Sequence, residues 1–189
     1  MATIGLRDVY FAPIIEDTES ETTYEIPFRV GKAITANVQP QYNTGELRAD
    51  DGVSETAESR GVTNVALNTD DLSPTVQSKL LGKKINSDGV LMDSEDDRPP
   101  YGALMFRSEK ANGAYRYTVL YKGKFTPPET NYETKQETPT FQTPTVNGRF
   151  LRRQSDNQIG GQVDEDGEGV SATIIDNWFK SVYEETPEG

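Results

Sequence analysis

The stretch Leu47–Gly82, LRADDGVSETAESRGVTNVALNTDDLSPTVQSKLLG, carries three signals in succession: an acidic, hydroxyl-rich segment, a short alternating strand and one well-capped helix. The helix has a clear physical basis. Ser73 can accept from a free N–H of the first turn, and Pro74 suits the first helical position, where no donor is needed. Asp70 and Asp71 put negative charge near the positive end of the helix dipole. Val76 and Leu80 lie one turn apart with Leu81 beside them, so one stripe is apolar while Thr75, Gln77 and Lys79 face water. Gly82 can take the left-handed conformation that ends a helix, with Lys83 and Lys84 at its negative end. A helix over 73–81 cannot cover its own stripe and must flank a sheet. The strand feeding it, VTNVALNT (62–69), alternates, and the expected class is α+β, mainly β.

Outward from this stretch, the rest of the chain supplies the sheet. Residues 1–15, MATIGLRDVYFAPII, read as an N-terminal strand or arm that Pro13 ends or holds at an edge. An acidic loop (16–25) leads to two short strands in 26–41, broken at Gly31, the second alternating Ile34, Ala36 and Val38. Residues 41–61 have almost no apolar content, so they read as a long exposed loop or an extended hairpin projecting from the domain. The clearest hairpin is YGALMFRS (101–108) and AYRYTVLYKGKF (114–125) around Asn112-Gly113. Tyr115, Tyr117, Val119 and Tyr121 fall on one of its faces and mark a packing or subunit-interface strand. A proline-punctuated polar connection (126–138) follows. Then comes a Thr-rich extended stretch with a turn expected at Asn147-Gly148, where Pro139 and Pro144 argue for an edge or a bulge. The extension 154–189 begins as a mobile, Gly- and acid-rich segment and ends in a helix expected over 172–184. Ile175, Trp178, Phe179 and Val182 line its docking stripe, on its own sheet or on a neighbouring subunit. One domain over 1–189 accommodates all of this.

Composition narrows the function. The 189 residues carry 31 acids against 19 bases, net -12, which argues against wrapping a nucleic acid but suits a wall that DNA passes without sticking. The chain has no Cys and no His, which removes thiolate sites, His-based triads and the commonest metal ligand. Neither a membrane span of ~20 apolar residues nor a signal-peptide profile is present, so synthesis in a cytoplasm is expected. Hydrophobic residues are only 33% and mean hydropathy is -0.70, a thin core that would gain from neighbouring subunits.

Candidate chemistry is sparse. DEDGEG (164–169) has the spaced carboxylates and glycine of a calcium loop without its twelve-residue ligand pattern, and it reads as a solvated loop. Asp93, Glu95, Asp96 and Asp97 read as a wet charge run. No nucleophile elbow, phosphate loop or dinucleotide fingerprint occurs, and no catalytic, cofactor or metal residue is assigned.

Several blocks together resemble one family. IGLRDVYFAPI, ADDG with DDLSPTVQSKLLG, PPYGALMFRSEKANGAYRYTVLYKGKF, FQTPTVNGRFLRR and IIDNWFKSV, in this order and spacing, resemble the major tail (tail tube) proteins of long-tailed phages that infect Gram-positive bacteria. The resemblance implies a non-enzymatic virion protein, a β-sandwich or partial barrel with a flanking helix. Six copies would close a ring, and rings would stack into a negatively charged conduit for DNA ejection. It implies an extended loop reaching the next ring, for which Tyr42, Glu46, Leu47, Arg48, Asp50, Asp51 and Glu55 are the candidates. The implied partners are further copies of the chain, a tape measure protein, a tail terminator and a distal tail protein, with DNA only in transit and no membrane. Assembly would take place in the host cytoplasm. Two other classes stay open: a carbohydrate- or receptor-binding β-module of a fibre or baseplate, and a carboxylate-dependent hydrolase.

Overall fold

Alternation sets the two faces of the sheet. Thr63, Val65, Leu67 and Thr69 are buried, while Asn64, Ala66 and Asn68 between them are half-buried on the other side. The computed structural model describes residues 2–49, 52–129, 134 and 141–185. Its elements are β1 (Thr3–Asp17), β2 (Thr22–Tyr24), β3 (Phe28–Gly31), β4 (Ala33–Ala49), β5 (Gly52–Thr69), α1 (Pro74–Leu81), β6 (Lys84–Ile85), β7 (Leu91–Met92), β8 (Gly102–Lys110), β9 (Tyr115–Glu129), β10 (Thr145–Leu151), β11 (Gly160–Asp164) and α2 (Ala172–Asn177).

All strands except the β6–β7 pair join one antiparallel sheet in the order β2-β1-β8-β9-β10-β5-β4, with β11 on β9 and β3 on β1. This sheet cannot lie flat. β3 pairs with β1 through Val9–Gly31 and Phe11–Phe28, and only Lys32 separates β3 from β4 at the far end of the path. The sheet therefore curls back toward β1 as a half-barrel. Asp70 secures that corner, its carboxylate accepting from the Lys32 and Asp71 N–H groups, both at 2.9 Å.

Inside the curl, Phe11, Val30, Leu67, Leu104, Phe125 and Phe150 form the main core. Phe125 meets Phe11 and Phe150 edge-on at 5.7 Å each. Glycines make that packing possible. A Cβ on Gly123 would stand 2.3 Å from the Phe150 ring, and one on Gly102, its cross-strand neighbour, 2.3 Å from Phe11. α1 adds Leu80 and Leu81 to the same core. Ser73 caps it, accepting from the Val76 N–H at 3.4 Å, and Gly82 ends it at φ +72° with its N–H on the Ser78 carbonyl. The expected Asn112-Gly113 turn joins β8 to β9, with Gly113 at φ +86°.

Several expectations need correction. For 41–61 the extended-hairpin reading holds and the loop reading does not, since the segment is the outer part of the β4–β5 hairpin, paired from Tyr42–Arg60 to Ala49–Gly52. β1 runs through Pro13 as an interior strand, since Pro13 sits opposite Gly102 where its missing N–H breaks no continuous ladder. Asn147-Gly148 lies within β10, between β9 and β5, and is no turn; Gly148 is required because a Cβ there would press on Phe125 at 2.9 Å. A register shift between Thr145 and Asn147 supplies the bulge. The connection expected from 126 begins as strand, since β9 extends to Glu129; residues 130–133 and 135–138 lie outside the described residues. The segment expected to be mobile, 154–169, contains β11, paired along β9 from Leu120 to Arg116. The helix expected over 172–184 spans only Ala172–Asn177. Tight bonds from the Trp178 N–H to the Ile175 carbonyl and from Lys180 to Asn177 turn the chain out of α geometry.

Candidate assembly surfaces

Two surfaces are open to contacts beyond the chain, and a third is covered by the chain itself. The first is the arm. Thr63 is the last β5 residue paired to β10, opposite Phe150. Beyond it β4 and β5 have only each other among the described residues, across eight register pairs. At ~3.3 Å per residue the arm extends roughly 25 Å. A two-stranded ribbon alone in water is marginally stable, so such an arm gains by lying on something. Of the residues expected to make inter-ring contacts, Tyr42 is 60% exposed at the arm's base. Glu46 pairs with Thr56, Leu47 with Glu55 and Arg48 with Val53; Asp50 and Asp51 lie outside the described residues.

The second surface is a four-stranded patch, β4–β5–β10–β9, with open borders. β8 leaves β9 after Gly102–Gly123, so the stretch of β9 from Lys124 has β10 on one side and no strand on the other among the described residues. Among the described residues, β4 from Ile34 onward pairs with β5 alone. Register runs straight across all four strands. Val38, Val65, Gly148 and Phe125 form an inward row, while Gln39, Asn64, Arg149 and Lys124 form an outward one. Asn37, Ala66, Asn147 and Thr126 form the next outward row.

The third surface is the aromatic face of the β8–β9 hairpin, which the chain's own C-terminal segment covers. Tyr117, Val119, Tyr121, Trp178 and Val182 form a second buried cluster on the side of the sheet opposite the main core. Ile175 and Tyr115 pack at its border. Phe179 stacks on Tyr10 at 4.8 Å, Tyr117 lies 5.7 Å from Trp178, and Trp178 stacks on Tyr183 at 5.8 Å. Tyr115 takes the Arg107 guanidinium over its ring at 4.4 Å.

Arg153, which sequence reasoning did not single out, fastens this cover. Its side chain is 2% exposed and lies 3.9 Å over the Tyr121 ring. It donates to both Asp156 carboxylate oxygens at 2.8 and 2.6 Å and to Glu184 at 2.6 Å. The guanidinium beside it holds the Asp156 carboxyl below the usual range, and burial pushes the Tyr121 hydroxyl up to about 12. Only the doubled arginine in FLRR hinted at it, and an Arg pair reads as surface from sequence alone.

Two of the four acids of the 164–169 loop are ion-paired. Asp164 accepts from Arg116 at 2.6 and 2.9 Å and from the buried Lys110 at 3.1 Å, and Asp166 also takes Lys110. Arg116 and Lys110 hold the Asp164 carboxyl well below its ordinary range. Among the described residues, no three Asp or Glu side chains converge as a metal site would need. Of the 93–97 run, Asp93 pairs with Lys83 at 3.2 Å and Asp97 accepts from the Ser94 N–H.

A curled β-domain with a projecting arm and open strand borders has the free backbone groups through which a sheet can accept a further strand. The family model for phage tail tube protein matches residues 31–177, and the chain belongs to that family. No curated protein matches the sequence. The family is one of structural tail proteins and not of enzymes, which makes this chain a structural component of the virion tail. The match begins at Gly31 and takes in both strands of the arm, the four-stranded patch, Arg153 with its Asp156 partner, and α2.

Proposed function

We propose that copies of this chain close into rings by pairing the free border of β4 with the free border of β9 in the next copy, and that the rings stack into the tail tube. The four-stranded patch carries this reading. Its strands alternate in direction, so β4 and β9 run oppositely, and seating the next copy's β4 beside β9 continues the antiparallel ladder. Each patch is buried on one face by its own core, so its second face lines whatever the ring encloses. Six copies would contribute about 24 strands, a barrel far too wide to fill with side chains, which leaves an open channel for DNA.

The arm reaches the neighbouring ring in the stack, where its unpaired borders find partners. A tape measure protein sets the length during assembly in the host cytoplasm, and terminator and distal tail proteins meet the two ends of the tube. The expectation of a negative conduit came from the net charge of -12. The two central outward rows of the patch contain amides, hydroxyls, Ala66 and two cations, while Glu129 stands in register with Thr145 in the next row.

Electron microscopy of the purified full-length chain tests the reading: rings or tubes of even diameter are expected. Removing residues 42–60 joins Gln41 to Gly61 near the base of the arm. It should leave the circular dichroism of a folded β-domain and abolish tubes. A wild-type chain that stays a solitary globule at high concentration overturns the ring, and normal tubes from the shortened chain overturn the role of the arm.

A further inference from the structure

We propose that the tip of the β6–β7 hairpin of one copy plugs the mouth of the half-barrel in the next copy along the tube. The claim rests on the stacking reading and names two surfaces that meet in it. The mouth is a cavity of about 480 Å³ near the base of the arm. Val38, Pro40 and Thr63 line one wall and Phe106, Thr118 and Leu120 the other, and neither α1 nor α2 contributes. Thr63 is 1% exposed, yet its hydroxyl has no hydrogen-bond partner among the described residues. A buried hydroxyl left alone is costly, so the mouth is incomplete in the single chain. Its walls are largely apolar, and one polar group waits for an occupant.

The hairpin has the complementary character. β6 and β7 pair with each other and join no other strand. Val90 and Met92 stand on one face of this ribbon and Ile85 on the other, all exposed. A hairpin with apolar side chains on both faces suits insertion between two walls better than lying flat on one. Its tip is already shaped: Asn86 Oδ1 accepts from the Asp88 and Val90 N–H groups at 3.0 and 2.8 Å, and Gly89 turns the chain at φ +80°. Docking therefore carries little ordering cost. Charge fixes the pairing. Asp88 is exposed at the tip and Arg60 is exposed beside the mouth, and neither has an ion-pair partner among the described residues. The other arginine lining the mouth, Arg116, is spent on Asp164. The hairpin follows α1 beyond the Thr69 end of β5, whereas the mouth opens toward the arm end of the same strand. Head-to-tail stacking thus brings one copy's hairpin to the next copy's mouth, and every copy in the tube carries both halves of the contact.

The natural sequence has no cysteine, so an engineered pair reports the contact without background. Val90→Cys chains and size-tagged Ser108→Cys chains, the latter altered at a half-buried residue lining the mouth, are mixed in equal amounts, oxidised and run on a non-reducing gel. Electron microscopy of the same samples reports rings and tubes separately. A disulfide-linked pair with one chain of each kind is expected, enriched in tubes over dilute single chains. Arg60→Glu and Asp88→Arg alone should each raise the concentration at which tubes form by about tenfold, and the two together should bring it back. Tubes without the linked pair, charge reversals that leave tube formation unchanged, or preferential capture of the Ser108→Cys chain by a Tyr42→Cys arm each overturn the proposal. A linked pair in samples that never show rings would keep the plug and count against ring closure instead.

Discussion

Replacing Arg153 by Met should release the C-terminal cover while leaving the barrel folded. The guanidinium makes a two-point contact with Asp156 and a third bond to Glu184, and stacks on Tyr121. Breaking a fully buried ion pair costs about 3–5 kcal/mol, because one charge is stranded away from water. Here the discount is substantial. Asp156 and Glu184 are 32% and 47% exposed, so both carboxylates rehydrate once the arginine is gone. Methionine also keeps most of the stem's packing. The lost charge-assisted bonds and ring stacking together leave about 2–3 kcal/mol. Trp178 is the only tryptophan, and it is buried in the cover, so its emission reports docking directly. Urea titration should show the Trp178 transition moving to lower denaturant and separating from the far-ultraviolet signal of the strands. A Glu184→Gln change should cost less, about 1 kcal/mol, since Asp156 still holds the arginine. Coincident transitions in Arg153→Met, at an unchanged midpoint, would refute the fastening role.

The other expectations follow from the same packing. Gly123→Ala should destabilise by about 1–3 kcal/mol in thermal or urea unfolding, because the new methyl meets the Phe150 ring, and Phe150→Leu in the same chain should recover part of it. Asp156 and Asp164 have carboxyls lowered in the folded state by Arg153 and by Arg116 and Lys110, so their contribution is complete above the ordinary carboxylate pKa of about 4. It is lost as pH falls below that, and Lys110→Met should flatten the acid limb of stability against pH. Pro127→Val with Pro128→Val should lengthen the pairing border of β9 and convert even tubes into irregular aggregates, read by light scattering and microscopy.

Legibility followed the range of the interaction. The α1 caps, the Asn112-Gly113 turn and the alternation of β5 depend on neighbours within a few residues, and all were readable in the chain. Asn147-Gly148 misled because the same dipeptide serves two purposes. Gly113 supplies a positive φ, whereas Gly148 makes room for Phe125, and a local reading cannot distinguish them. The C-terminal helix was overextended because its i, i+3, i+4 stripe is genuine, yet Tyr10 and Tyr117 draw Phe179 and Trp178 onto the sheet and bend the chain after Asn177. Arg153 was invisible for the same reason, since its partners at 24, 121 and 184 meet only in the folded chain.

Open strand borders ordinarily invite unlimited sheet growth, and this chain restricts theirs. On β4 the free stretch from Ile34 ends at Pro40, which has no N–H to offer and sits where the register slips before Tyr42. On β9 the stretch that begins at Lys124 meets Pro127 and Pro128. Only a short window of each border can therefore pair, which sets one register between copies and leaves little for a misaligned strand. Sheet twist then acts on the join. Each patch would add its rotation in the same sense, so in the proposed ring successive copies would turn steadily until the ladder met its own start. Closure of that ring would place every β4 border against a β9 border and leave the arms available to the next ring. In such a ring a chain with 33% hydrophobic residues would not need a large private core, because its neighbours would complete part of its backbone hydrogen bonding.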